Sequence, residues 1–178
     1  MVTMETHGTY LLDTCVCIAL IKKMPSVIEH IRRVGADECK ISEITLAELF
    51  FGAFKSGRKK HFDDVAEIKG LFEQYAITDS LKEYGDIRAQ LEKAGKKIGD
   101  MDMLIAATAL HENLIVVTGN TDHFERIPGL KIENWMELRL HSIQTPSLSP
   151  HWREGCFVLV IWCQVFLFSN FMRGRAVL

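Results

Sequence analysis

The sequence is poor in the features that announce many functions by themselves. Its five cysteines, Cys15, Cys17, Cys39, Cys156 and Cys163, are odd in number and form no CxxC pair. That excludes a disulfide scaffold and a paired zinc site, and reads as the reduced thiols of a cytoplasmic protein. The net charge of −2 leaves no broad basic field, so tight binding to nucleic acid by charge alone is not expected. The stretch MVTMETHGTYLLDTC has no basic region leading into an apolar one, and no secretory signal is read there. Neither GxSxG nor HExxH occurs, and the seven histidines show no ligand spacing. Gly52 to Arg58 begins like a phosphate-binding loop, but it continues with Arg and Lys and follows a helical stretch instead of a strand. Asp13-Thr14-Cys15 lacks the second acid of an aspartyl-phosphate phosphatase.

What is present suits one globular domain with an appendage. The 178 residues are 48% hydrophobic and 25% charged, enough to bury a real core. Composition changes near residue 138. Residues 139–178 carry a net +3, and the remainder carries −5. The later segment opens on the Ser/Pro-rich SIQTPSLSPHW, read as a linker. It continues with the apolar run CFVLVIWCQVFLF. Such a run spans roughly 20 Å as a helix, short of the ~30 Å hydrocarbon core of a bilayer. Extension over 156–172 would make a marginal membrane contact. A hydrophobic partner segment is a second reading, and residues foreign to the domain is the favoured one. The fold argument therefore rests on residues 1–138.

Between residues 9 and 138, strand and helix signals alternate. Tyr10–Leu12 reads as a strand, and Val16–Ile21 as a loop into a helix. Ser26 is a plausible cap for a helix closed by Gly35. Cys39–Ile44 alternates as a second strand. Thr45 is expected to cap Leu46–Lys55, and His61–Gln74 is amphipathic. An extended piece begins at Ile77, Ser80 caps a further helix, and Met101–His111 is apolar and rich in alanine. Leu114–Val117 reads as a buried parallel strand, and Leu130–Ile132 as a last one. The alternation implies an α/β fold with a parallel sheet layered by helices, whose site lies beyond the carboxyl ends of the strands.

The acids stand at such places. Asp13 ends the first strand, Glu48 lies early in an apolar helix, and Asp100 and Asp102 open the most apolar one. Asn120 and Asp122 follow the buried strand. Each has a structural reading as a cap, turn or surface partner, and each signal is weak alone. Carboxylates gathered at one sheet edge repel, and they stay ionised together only beside a cation. Hard oxygen donors suit Mg2+ or Mn2+.

The strings YLLDTCVCIALI, ISEITLAELFFGA, IRAQLEKAGKKIGDMDMLIAATAL and LIVVTGNTDHFERIPGLKIENW follow in that order over residues 9–136. Together they resemble PIN-domain proteins, and most closely the toxin of a VapBC toxin–antitoxin pair. The resemblance implies a three-layer α/β/α fold and a metal-dependent ribonuclease. It places the conserved-type acids of that family on Asp13, Glu48 and Asp102, with Asp100 as an extra acid, and the turn after the buried strand on Thr118 and Asn120. Two departures stand out. Asn120 is an amide where some members carry a carboxylate. His123 stands where many carry an acid just before the Phe, with Asp122 beside it instead.

A phosphodiester gains negative charge on the way to cleavage, and one or two Mg2+ held by Asp13, Glu48 and Asp102 would neutralise it and activate a water. Asn120 or Asp122 would supply a fourth ligand. Glu48 or Asp100 would orient or deprotonate the water. The hydroxyls of Thr14 and Thr118 would fix carboxylate rotamers. The basic runs Arg58, Lys59, Lys60 and Lys96, Lys97 are candidates for holding RNA phosphates, although each also reads as a solvated helix end. The resemblance also implies a structured, tRNA-like RNA substrate, a cognate VapB-like antitoxin and a homodimer. Phe50, Phe51 and Phe54 would suit a partner surface, but core is the preferred reading. Two rival functions are a PIN nuclease of another pathway, acting on structured DNA or RNA, and a catalytically dead binding module.

Overall fold

The computed structural model describes residues 8–137. The segment 139–178, including 156–172, lies outside the described residues. Among the described residues no helix is long and apolar enough to cross a membrane. In chain order the elements are β1 (Tyr10–Leu12), α1 (Thr14–Ile21), α2 (Pro25–Val34), β2 (Cys39–Ser42), α3 (Glu43–Ser56) and α4 (Lys59–Leu71). They continue with β3 (Glu73–Tyr75), α5 (Leu81–Lys93), α6 (Asp100–His111), β4 (Ile115–Val117), α7 (Thr121–Phe124) and β5 (Lys131–Glu133).

The strands form one sheet in the order β3-β2-β1-β4-β5, and every pairing is parallel. β1 is central and wholly buried. Side chains alternate along a strand, so one strand feeds two cores. Tyr10, Leu12 and Val117 pack with Val16, Val27, Leu49 and Ile68 from α1–α4. Leu11 and Val116 point the other way, to Ile87, Leu91, Met103 and Ile105 of α5 and α6. The expected three layers result.

Several boundaries moved for local physical reasons. α1 begins at Thr14, not after Val16, because the Asp13 carboxylate caps it by accepting the Thr14 N–H. α2 starts with Pro25, whose fixed φ suits the first turn, and Ser26 lies inside the helix. β2 stops at Ser42 because Ser42 is the cap of α3 and accepts the Thr45 N–H at 3.0 Å. α4 ends at Leu71, and the edge strand comes next at Glu73–Tyr75, before the expected Ile77. The Ser80 hydroxyl makes no capping bond to α5 and donates back to the Ile77 carbonyl.

Trp135 closes the first core. It is 1% exposed, stacks on His30 with centroids 5.2 Å apart, and donates its indole N–H to Glu133. We expect Trp135→Ala to destabilise the protein by about 3–5 kcal/mol, the range for truncating a large buried aromatic. Urea denaturation followed by circular dichroism measures it.

Candidate active site

The strand order places β1 beside β4, although much of the chain separates them. Helices after β1 cover one face, while α6 leading into β4 covers the other. A crevice at the carboxyl ends of two such strands is where open α/β sheets bind ligands. Asp13 and Thr118 are the residues that immediately follow β1 and β4. The backbone N–H of Asp13 donates to Val117 O, and that of Thr118 to Glu133 O, so both are pinned to the sheet edge.

Asp13 is 5% exposed, yet all its partners are neutral. One oxygen accepts the Thr14 N–H at 2.6 Å. The other accepts the Thr118 hydroxyl at 2.7 Å and the Cys15 thiol at 3.1 Å. Among the described residues no lysine or arginine pairs with Asp13, Glu48 or Asp102. Cys15 stays a neutral thiol, because burial pushes its pKa up and the Asp13 charge pushes it further.

Glu48 and Asp102 join this carboxylate through single intermediaries. The Thr45 hydroxyl donates to Leu12 O at 3.3 Å and ties α3 to the end of β1. That brings Glu48, one turn further along α3, to the Thr14 hydroxyl, which donates to it. From Thr118 the links run the other way. Its hydroxyl accepts the Asn120 N–H at 2.9 Å. The Asn120 amide lies 2.8 Å from His123 Nδ1, and the same nitrogen lies 2.7 Å from Asp102 Oδ2. Asp102 sits in the first turn of α6, where the helix dipole favours a negative charge. Gly99 at the cap leaves room for it: a Cβ there would stand 3.4 Å from Asp102 Oδ2.

Thus Asp13, Glu48, Asp102 and Asn120 fall on one hydrogen-bonded chain, with Thr14 and Thr118 between them. His123 belongs to it as well. The sequence reading had noted it only as a departure, and the signal was its place one residue before the buried Phe124. Asp100 and Asp122 do not join the chain. Asp100 turns to α5, 3.6 Å from Arg88 Nη1 and 3.5 Å from the Tyr84 hydroxyl. Asp122 is exposed on α7 with no hydrogen bond of its side chain among the described residues. No group of three His, Cys, Asp or Glu side chains among the described residues is already drawn together around a metal position.

The basic runs fall at different distances. Arg58, Lys59 and Lys60 follow the far end of α3, which rises about 12 Å from Glu48 to Ser56. Lys60 is paired with Asp64 at 3.2 Å. Lys96 and Lys97 are exposed in the loop before α6, close in sequence to Asp102. Phe51 and Phe54 are 67% and 73% exposed and Phe50 is also exposed, so the preferred core reading of these three is corrected. They occupy the outer face of α3, whose inner face carries Leu46, Leu49 and Ala53.

Thr118→Val keeps the shape of the side chain but removes the donor to Asp13 and the acceptor for Asn120. We expect a loss of about 1–3 kcal/mol, the cost of leaving buried partners unpaired, and a smaller loss for Thr118→Ser. Denaturation midpoints of the two variants check this.

Comparison with known proteins agrees with this architecture. Residues 10–130 match the PIN domain family. The chain is 35% identical over 130 residues to the "tRNA(fMet)-specific endonuclease VapC" of Shigella flexneri, covering 71% of this chain and 97% of that relative. It is 38% identical over 131 residues to "Ribonuclease VapC2" of Haemophilus influenzae, covering 71% and 98%. Among solved structures, VapBC2 from Rickettsia felis, bound to a DNA fragment from its promoter, superimposes with a TM-score of 0.66 at 36% identity. That match covers 71% of this chain and 98% of the other. The DNA-bound VapBC of Salmonella typhimurium gives 0.64 at 36% identity, covering 72% and 99%. With its sheet order, its acid-bearing strand ends and these relatives, the chain belongs to the PIN-domain family and is a VapC-type ribonuclease.

Proposed function

We propose that the protein is a divalent-metal-dependent endoribonuclease and the toxin of a type II toxin–antitoxin pair, cutting structured, tRNA-like RNA at the β1–β4 edge. One observation carries the site: Asp13 is buried at the sheet edge with only neutral partners. An ionised carboxylate in that position is costly unless a cation comes to it.

The donor set fits Mg2+ or Mn2+. Asp13, Glu48 and Asp102 offer hard oxygens, and in each carboxylate lone pairs remain that no described donor uses. Asn120 is better placed than Asp122 to add a fourth oxygen. When bound, the ion would offset the negative charge that develops on the phosphate and ease the deprotonation of a water. The protein's own residues supply positioning. Thr118 and the Thr14 N–H hold Asp13 in one rotamer. The Thr14 hydroxyl steers Glu48 toward the same edge, so Glu48 is the better candidate than Asp100 to orient or deprotonate the water. Lys96 and Lys97, next to the Asp102 turn, are better placed than Arg58, Lys59 and Lys60 to hold phosphates flanking the cut.

The partner follows from the same family. Relatives named VapBC are complexes of toxin and antitoxin, and a VapB-like antitoxin is proposed here too. The exposed Phe51 and Phe54 supply an apolar face for such a partner or for a homodimer. A cytoplasmic location is part of the proposal and accords with the free cysteines Cys15, Cys17 and Cys39.

Cleavage of tRNA by the full chain tests the reading. We expect EDTA to abolish it and Mg2+ or Mn2+ to restore it. Asp13→Asn and Asp102→Asn are expected to lower the rate by on the order of 10²–10³-fold or more with unchanged circular dichroism, the scale of losing one charge-stabilising group. Asp100→Asn should leave the rate essentially unchanged. Metal-independent cleavage, or full activity of Asp13→Asn, would refute the mechanism.

The basic loop has its own readout. Lys96→Ala combined with Lys97→Ala should weaken RNA binding and flatten the dependence of log K on log salt. Each lost phosphate contact is worth about 0.7–0.9 in slope, from single strand to duplex, hence about 1.4–1.8 for two. Filter binding across a salt series measures it, with Arg58→Ala and Lys59→Ala as the comparison expected to change less.

A further inference from the structure

Arg88 of α5 is tied to the first turn of α6, which carries Asp102, yet it takes no part in the hydrogen-bonded chain of acids. Its guanidinium has three neighbours. Nη1 donates to the Tyr84 hydroxyl at 2.7 Å, and Nε donates to Glu92 at 3.1 Å. Asp100, at the start of α6, stands 3.6 Å from Nη1. Tyr84 is itself fixed, because its side chain packs against the second core. The guanidinium carbon lies 6.0 Å over the Tyr84 ring.

A structural role alone accounts poorly for this arrangement. The side chains of Arg88 and Asp100 are 40% and 53% exposed, and an ion pair so open to water contributes little to stability. A guanidinium carries five N–H donors. Among the described residues neither hydrogen of Nη2 has a hydrogen-bond partner. What the neighbours achieve is orientation. The planar fork is held in place before anything binds, so less rotamer freedom is lost when something does. Such a fork matches the oxygens of a phosphate.

The position suits an RNA strand. α5 and α6 pack together through Ile87, Leu91, Met103 and Ile105. Asp100 and Asp102 are two residues apart on α6, about 5–6 Å between Cα atoms. The guanidinium therefore borders the acid-bearing edge on its α5 side without occupying the acids themselves. Lys96 and Lys97 continue that border in the loop joining α5 to α6. On the α3 side, by contrast, the neighbour of Glu48 on the helix surface is the apolar Phe51.

We propose that Arg88 binds an RNA phosphate flanking the cut, on the α5 side of the edge, and that Tyr84 is the residue that positions it. This rests on the RNA-cutting reading above and adds the side of the edge on which the strand is held. The contact itself needs no metal, so it is measurable apart from catalysis.

The test uses the full chain and a tRNA transcript. Binding is measured in EDTA by filter retention across a salt series, and KM and kcat are measured with Mg2+. Arg88→Ala is expected to weaken binding roughly tenfold and to lower the slope of log K against log salt by about 0.7–0.9, the share of one phosphate contact. KM should rise with kcat little changed. Arg88→Lys keeps the charge without the fork, so affinity should fall while the slope stays. Tyr84→Phe removes only the hydroxyl and should likewise weaken binding without moving the slope. Arg33→Ala removes the same charge at the end of α2, near Tyr10 and the amino end of β1, and is the reference for net charge alone. Circular dichroism checks that each variant folds. An Arg88→Ala variant that loses no more affinity and slope than Arg33→Ala overturns the assignment. So does a fall in kcat with KM and slope unchanged, which is what looser packing of α6 would give. Tyr84→Phe binding as tightly as the natural chain overturns its positioning role. Cleavage that survives EDTA overturns the metal-dependent mechanism and leaves this inference to the difference in slope. A folded chain that binds no tRNA overturns this inference and the tRNA-like substrate together.

Discussion

The carboxylate of Asp13, buried where the central strand ends, constrains everything around it. Taking an ion out of water costs several kcal/mol unless hydrogen bonds and an opposite charge compensate. Here the hydrogen bonds are present and the opposite charge is absent among the described partners. The Thr14 N–H, the Thr118 hydroxyl and the Cys15 thiol all serve one side chain. Each in turn organises something else. Thr14 reaches Glu48, Thr118 receives Asn120, and the sulfur of Cys15 accepts the Gly119 N–H at 3.2 Å. The turn after β4 is therefore built upon the acid at the end of β1.

That turn is tightly packed. A Cβ on Gly119 would stand 2.5 Å from Met136 Sδ and 3.8 Å from Cys15 Sγ, so only glycine lets the backbone lie flat between them without displacement. Trp135 next to Met136 anchors the chain in the first core beneath. Packing of the C-terminal part of the domain and placement of Asn120 are thus coupled. The sheet order does the rest. Because β4 lies beside β1 on the side away from β2 and β3, Glu48 comes from the α3 layer and Asp102 from the α5–α6 layer. Two helical layers deliver acids to one edge, and a phosphate chain crossing it would be approached from both faces. The exposed phenylalanines of α3 begin close to Glu48: Phe51, three residues on, is its neighbour on the helix surface, and Phe54 continues the apolar face away from it.

Much of this was legible in the residues. The alternation of strand and helix signals implied the parallel sheet, and Asp13, Glu48 and Asp102 are recognisable by their places at strand ends and helix starts. Short-range physics explains why: an apolar run, a capping residue and a glycine terminator act over a few positions. The shifted starts of α1 and α3 also had local signals, in Asp13 and Ser42 standing as caps. Position at a helix start did not separate Asp100 from Asp102, and only the resemblance favoured Asp102. Both open the same helix, and they differ by two residues, about 200° around its axis. Only the packing of α6 against α5 turns one toward Arg88 and Tyr84 and leaves the other to His123.

The class of fold therefore followed from periodicity and the family from the resemblance of its motifs, because both are properties of neighbouring residues; the same resemblance proposed Asp13, Glu48 and Asp102 as the site acids. Tertiary structure alone decided which groups meet. The union of Asp13 with Thr118 spans 105 positions, and that of Asp102 with His123 spans 21. The exposure of Phe51 and Phe54 was likewise undecided until α3 packed through its opposite face. These contacts depend on strand order and helix rotation, which arise from burying two apolar faces of one sheet at once, and no local pattern encodes them.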